Sequence, residues 1–276
     1  MKKLHRTLLA IAGAAVFAVP AAAKPITVKG SDTMVILGQR SAETYMNATP
    51  GQVIMVTGGG SGTGIAALIN GTTDICQASR EMRQDEKLKL RDRFQTMGIE
   101  IPVARDGVTI YVNEANPVPS LTISQLRDIY MGSITNWKQV GGKDATILLY
   151  GRENSSGTYG FFKEKVLDNR DFADRLQALP GTSAVVNAVA RDANGIGYGG
   201  AAYAKGVKEV PLKKDEKAEA IVPSLKSVTD GSYALSRYLF FYMRQKPAGD
   251  ARKFVDWVLS PAGQQVVTAV GYYPLK

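Results

Sequence analysis

Val53-Ile-Met-Val-Thr-Gly-Gly-Gly-Ser-Gly-Thr-Gly-Ile-Ala-Ala-Leu-Ile-Asn-Gly71 holds a strand, a turn and a helix in direct succession. Val53–Thr57 is a short apolar run rich in β-branched residues, the composition of a buried strand. Ile65–Ile69 is helical, and Asn70-Gly71 supplies a C-cap that stops it. Between them lies a turn made of glycines and hydroxyls. The same grammar flanks this stretch. Ile26–Lys29 reads as a strand, Met34–Tyr45 as a helix with Ile36 or Leu37 and Tyr45 as core positions, and Thr73–Cys76 as another strand. Strands alternating with helices predict an α/β fold with a mostly parallel sheet.

The pattern continues along the chain. Val108–Val112 is strand-like. Thr122-Ile-Ser-Gln125 is a capping box for a helix that carries Ile123, Leu126, Ile129 and Tyr130 on one face and ends at Gly132. Ile147–Tyr150 predicts a strand and Tyr159–Leu167 a helix. Tyr238–Met243 predicts a strand, Phe254–Leu259 a helix, and Ser260-Pro261 the N-cap and first residue of one more.

The first 23 residues have a different character. Lys2, Lys3 and Arg6 precede the apolar run Leu8–Val19, and Ala21-Ala22-Ala23 offers small residues for cleavage. This is the pattern of a signal peptide, too short to span a bilayer as an anchor. Its removal leaves 253 residues, lowers the formal charge from +9 to +6 and takes away His5, the only histidine. A mature chain without histidine excludes a Ser-His-Asp triad, a Cys-His pair and histidine-ligated zinc. The single cysteine, Cys76, excludes an intrachain disulfide and reads as a small buried hydrophobe. No Arg/Lys stripe alternates with aromatics, so no nucleic-acid surface is expected. Lys213–Lys217 mixes both signs and reads as a solvated loop or helix face. The basic balance suits an anionic small ligand.

Three turns share one design, each between a strand and a helix: Lys29-Gly-Ser-Asp-Thr-Met34, Thr57-Gly-Gly-Gly-Ser-Gly-Thr-Gly-Ile65 and Gly151-Arg-Glu-Asn-Ser-Ser-Gly-Thr-Tyr159. A helix start carries unpaired N–H groups and partial positive charge, glycine allows close approach, and hydroxyls add donors. One such turn is an ordinary cap; three make candidate anion seats of Ser31, Asp32, Thr33 and Met34, of Ser61 and Gly62, and of Ser155, Ser156, Gly157 and Thr158. A P-loop needs Gly-Lys-Ser/Thr, whereas Gly64 precedes Ile65; a dinucleotide fingerprint needs a glycine spacing that Gly60-Ser-Gly62-Thr-Gly64 lacks. Separate seats suit one compact tetrahedral anion better than an extended cofactor. Arg80, after Ser79 at a strand end, and Arg152, at the third turn, offer guanidinium forks for paired oxygens. Asp106 is the odd member, because a carboxylate repels an anion unless it accepts a proton from it. Hydrogen phosphate carries that proton and sulfate does not.

These residues resemble the periplasmic phosphate-binding proteins of bacterial phosphate ABC transporters over nearly the whole mature chain. The marks are Gly30-Ser-Asp-Thr33, Gly60-Ser-Gly62, Ala78-Ser-Arg80, Arg105-Asp-Gly107, Leu126-Arg-Asp-Ile-Tyr130 with Gly132 and Ile134-Thr-Asn-Trp137, and Arg152 with Ser156-Gly-Thr158. The resemblance implies a two-lobed periplasmic binding protein fold of type II. One lobe would hold 24–104 plus 235–276 and the other 105–234, with the chain crossing twice and phosphate in the cleft. Thr33, Met34 and Ser61 would grip the ligand from one lobe, and Arg152, Ser156, Gly157 and Thr158 from the other. Some members carry Ala-Ser-Asp, with that acid as proton acceptor, where this chain has Ala78-Ser79-Arg80. Here Arg80 would be a second guanidinium and Asp106 the acceptor. The expectation is an exported periplasmic monomer, not an enzyme and without cofactor or metal, that delivers inorganic phosphate to the membrane permease of an ABC transporter. The alternatives are a binder of sulfate or molybdate and an exported phosphatase.

Overall fold

The computed structural model describes residues 24–275. The signal-peptide expectation for Met1–Ala23 lies outside them. The chain opens with β1 (Ile26–Gly30), α1 (Val35–Ala48), β2 (Ile54–Thr57), α2 (Ser61–Asn70), β3 (Ile75–Ala78), α3 (Gln84–Phe94) and β4 (Ile99–Val112). It continues through β5 (Leu121–Thr122), α4 (Ile123–Met131), β6 (Leu148–Arg152), α5 (Gly157–Lys165), β7 (Gln177–Leu179), α6 (Thr182–Arg191) and β8 (Gly195–Gly200). It closes with β9 (Lys208–Val210), β10 (Leu212–Lys213), α7 (Leu225–Thr229), β11 (Ser236–Met243), α8 (Gly249–Leu259) and α9 (Pro261–Val270).

Two groups of parallel strands are joined by antiparallel neighbours. The order is β2-β1-β3-β11-β4-β8-β6-β7, with β9 also paired to β4. The β1, β2 and β3 strands are parallel, as are β6, β7 and β8. The long strand β4 belongs to both groups. Its first part, to Gly107, pairs with β11, and its Val108–Val112 part pairs with β8. Each of the three Gly/hydroxyl turns follows the carboxyl end of a parallel strand, where open α/β sheets place ligands.

Local chemistry explains most of these elements. Thr122 accepts from the Gln125 N–H while the Gln125 side chain accepts from the Thr122 N–H, and Gly132 ends α4 in the left-handed region. Ser260 caps α9 with Pro261 in its first turn. The predicted strand at Thr73 starts instead at Ile75. Thr73 and Asp74 are held by side-chain bonds to Thr27, outside the regular ladder. Lys213–Lys217 leads into an exposed turn whose N–H groups are gathered by Asp215. Cys76 is buried, and burial pushes its thiol up. Among the described residues no helix is long and apolar enough to cross a membrane.

Several elements escape the sequence reading, strand β8 and helix α6 among them. Strand β8, Gly-Ile-Gly-Tyr-Gly-Gly, is glycine-rich, as loops are, yet is buried throughout. A Cβ at Gly197 would lie 2.6 Å from Val185 and one at Gly199 would lie 2.7 Å from Thr182, so bare backbone lets α6 pack directly on the strand. The same logic governs α2 on β1. A Cβ at Gly64 would come within 2.5 Å of the Gly30 Cα and the Lys29 carbonyl oxygen. Alanine gains about 0.5–1 kcal/mol over glycine inside a helix, but overpacking costs about 1–3 kcal/mol. Because the atoms struck are backbone, Gly64→Ala is expected to lower the denaturation midpoint; a raised midpoint would mean that α2 slides off β1 without cost.

Candidate functional site

The three turns meet at one buried point. After β1, Ser31 donates its hydroxyl to Ser79 Oγ at 2.8 Å. Thr33 Oγ1 lies 2.8 Å from Thr158 Oγ1, which arrives on α5 from the other strand group. At the start of α2, Ser61 Oγ accepts the Ser79 N–H at 3.0 Å. Gly60 enters that helix at φ +92°, a conformation glycine tolerates, and a Cβ there would strike the Ser155 carbonyl. Gly62 N–H donates to the Ser155 carbonyl at 2.8 Å, so the second and third turns are bonded through backbone. Gly157 faces the hydroxyls of Ser61 and Ser79 so closely that any Cβ would collide with them. Ser31, Thr33, Ser61, Ser79, Ser156 and Thr158 are all buried.

Not every candidate contributes in the same way. The Ser156 hydroxyl caps α5 by accepting from the Thr158 and Tyr159 N–H groups, which sets the direction of that helix start. The Met34 side chain is in the core, which leaves its backbone as its part of the turn. Asp32 is a brace: one oxygen accepts from the Gly59 N–H at 2.8 Å and the other from Arg152 Nη2 at 3.0 Å. Arg152 is buried between Asp32, Glu153 and the Thr182 hydroxyl. Its guanidinium therefore sits at the third turn, tied to the first.

The placement of Arg80 corrects the expectation of a second guanidinium from that position. Arg80 forms a two-pronged pair with Glu86 at 2.7 and 2.8 Å and donates to the Glu81 carbonyl, so its charge is spent on the start of α3. A guanidinium that does touch the cluster belongs to Arg237, which the sequence does not single out. Arg237 on β11 is the register partner of Asp106 on β4. Its Nε and Nη2 donate to Asp106 Oδ2 at 3.0 and 2.8 Å, Nη1 to the Ser79 carbonyl at 2.8 Å, and Nη2 also to Thr158 Oγ1 at 3.0 Å. The group lies over the Phe161 ring, 5.1 Å from its centroid. The available signal was a lone charge in the apolar run Tyr238–Met243 and its flank, since a buried charge needs a partner. Asp106 itself is fully buried, and its Oδ1 accepts no hydrogen bond among the described residues.

Tyrosines hold the turns from behind. Tyr272 donates its hydroxyl to the Thr33 carbonyl and Tyr203 to the Asp32 carbonyl at 2.8 Å, which fixes the peptide planes of the first seat. Burial first, and then nearby negative charges that include Asp106, push both phenols far above their ordinary range, so they remain donors. The site is thus rich in hydroxyl and N–H donors and offers one unspent carboxylate oxygen. Among the described residues there is no group of histidine, cysteine and acidic side chains placed to hold a metal ion.

Comparison with known proteins gives the family. The PBP superfamily domain matches residues 15–262. The phosphate-binding protein PstS of Pseudomonas aeruginosa is 34% identical over 263 residues, covering 89% of this chain and 81% of that protein. The chain belongs to the Pst-type phosphate-binding protein family. PstS of Staphylococcus epidermidis is 37% identical over 257 residues, covering 88% of this chain and 77% of that protein. Among solved structures, a substrate-binding protein from Clostridium perfringens with bound phosphate has 29% identity and a TM-score of 0.82, covering 92% of this chain and all of that one. An ABC-type phosphate transport receptor from Vibrio cholerae has 30% identity and a TM-score of 0.72, covering 90% of this chain and 99% of that one. The family's two-lobed α/β fold is the architecture described above.

The bond behind the first seat is open to a direct check. Tyr272→Phe leaves the buried Thr33 carbonyl without its donor, which is expected to cost about 1–3 kcal/mol in unfolding free energy. Urea denaturation of the two proteins measures it, and equal stabilities would show that the carbonyl finds another partner.

Proposed function

We propose that the protein is an exported phosphate-binding protein that takes up inorganic phosphate between its lobes and delivers it to the membrane permease of an ABC transporter. The convergence of three helix starts on one buried cluster of hydroxyls carries this reading. Thr33 and Ser61 come from one side, Gly157 and Thr158 from the other. Lobes of 24–104 plus 235–276 and of 105–234 fit the passage of β4 from one strand group to the other and the return of the chain at β11. Binding would strip water from the anion and replace it with fixed donors, and closure would present the loaded form to the permease. On this reading the protein is a carrier that binds its ligand and releases it unchanged.

Asp106 supports phosphate over sulfate. Its Oδ2 is committed to Arg237 and its Oδ1 is buried without a donor. A ligand that brings its own proton satisfies that oxygen; one without a proton places two acceptors face to face. Where buried polar groups go unpaired in this way, discrimination reaches about 10⁴-fold. Titration calorimetry with phosphate and with sulfate tests both parts. Strong binding of phosphate and far weaker binding of sulfate is expected, with the ratio falling about tenfold or more in Asp106→Asn, whose amide can donate to sulfate. Absence of phosphate binding contradicts the function; an unchanged ratio in the variant moves the acceptor role elsewhere.

A further inference from the structure

We infer that Arg237 is the positioning residue that sets which anion the site accepts, acting through Asp106. The inference rests on the reading of Asp106 as proton acceptor and adds the group that makes it one. A carboxylate inside a protein has two ways to be satisfied: a cation at hydrogen-bond distance, or a proton of its own. Arg237 supplies the first. Two of its N–H groups converge on the same oxygen, Oδ2, at 3.0 and 2.8 Å, and leave Oδ1 unengaged. The pair is sealed from water, with side-chain exposures of 4% and 0%.

The surroundings keep that arrangement one-sided. Arg237 cannot swing to Oδ1 without giving up the Ser79 carbonyl, held by Nη1, and the Thr158 hydroxyl, held by Nη2, which also bonds Asp106. Four tyrosine hydroxyls near Asp106 are committed elsewhere. Tyr111 donates to the Gly200 carbonyl, Tyr203 to the Asp32 carbonyl, Tyr233 to the Val108 carbonyl and Tyr272 to the Thr33 carbonyl. A Cβ at Gly200 would stand 3.0 Å from Oδ1, so even a methyl group would crowd this oxygen. Asp106 thereby presents one free acceptor oxygen, which suits an anion that brings its own proton. Arg237 also bonds to Ser79 and Thr158, one on each side of the anion site, so the element that fixes specificity is also the one that the two sides share.

Without the guanidinium, Asp106 would be a buried carboxylate with no counter-charge and would take up a proton. It would then donate where it now accepts. Arg237→Gln is therefore expected to lower the phosphate-to-sulfate affinity ratio about tenfold or more, in the same direction as Asp106→Asn. Arg237→Lys keeps the cation but loses the fork, so it should bind phosphate more weakly while holding the ratio within about threefold of wild type. Calorimetric titration of each full-length mature variant with phosphate and with sulfate reads both quantities, with circular dichroism as the check on folding. A loss of packing would weaken both anions alike and leave the ratio unmoved. A wild-type ratio in Arg237→Gln overturns the inference. If that variant does not fold, Arg237→Lys decides alone: a ratio as low as that of Asp106→Asn overturns it. Failure of the acceptor reading is seen separately, as an unchanged ratio in Asp106→Asn itself.

Discussion

The ion pair between Asp106 and Arg237 stands where the two long antiparallel strands β4 and β11 run side by side between the parallel strand groups. Burying two charges is costly, and their attraction compensates only when geometry is good and the remaining polar atoms are satisfied. Here the guanidinium makes four hydrogen bonds, to Asp106, Ser79 and Thr158, with Phe161 beneath it. The one atom left over is Asp106 Oδ1. Such a pair adds little net stability compared with an apolar core, and its value lies in fixing one arrangement of the groups it touches. Ser79 stands at the end of β3 and Thr158 in the first turn of α5, so two distant parts of the chain take their positions from a single side chain.

Around this pair the site follows from backbone geometry. Each seat is the start of a helix after a parallel strand, where N–H groups are unpaired and the helix dipole favours negative charge. Hydroxyls of Thr33, Ser61, Ser79 and Thr158 bond to neighbouring hydroxyls and to backbone, which sets their orientations. The bonds between the first and third turns, Asp32 with Arg152 and Thr33 with Thr158, and between the second and third, Gly62 with Ser155, connect the sides of the cleft directly. The residues that join the turns are therefore the same ones proposed to hold the anion. A displacement of α5 away from α1 and α2 would dismantle the cluster and break these bonds together.

Much of this was legible in the sequence because the relevant chemistry is local. A Gly/Ser turn between an apolar strand and an amphipathic run identifies itself within about ten residues, and the three turns that converge in the structure are of this kind. Asp106 stood out because a carboxylate conflicts with an anionic ligand. Arg237 did not, since its role depends on a register with β4, far away in sequence. Arg80 was read as the second guanidinium because it follows Ser79, but Glu86, in the first turn of α3, reaches it first. Strand β8 carries no strand signal in the sequence because its glycines serve contact with α6, which a one-dimensional reading does not see.

The whole account turns on Asp106 Oδ1 accepting a proton that phosphate brings. A crystal structure of the phosphate complex, at a resolution that fixes oxygen positions, measures this directly. The account predicts one phosphate oxygen at the short distance of a charge-assisted bond to Oδ1, about 2.5–2.7 Å, with Arg237 still on Oδ2. A phosphate seated on Thr33, Ser61 and Thr158 but with no oxygen in reach of Asp106 would contradict it.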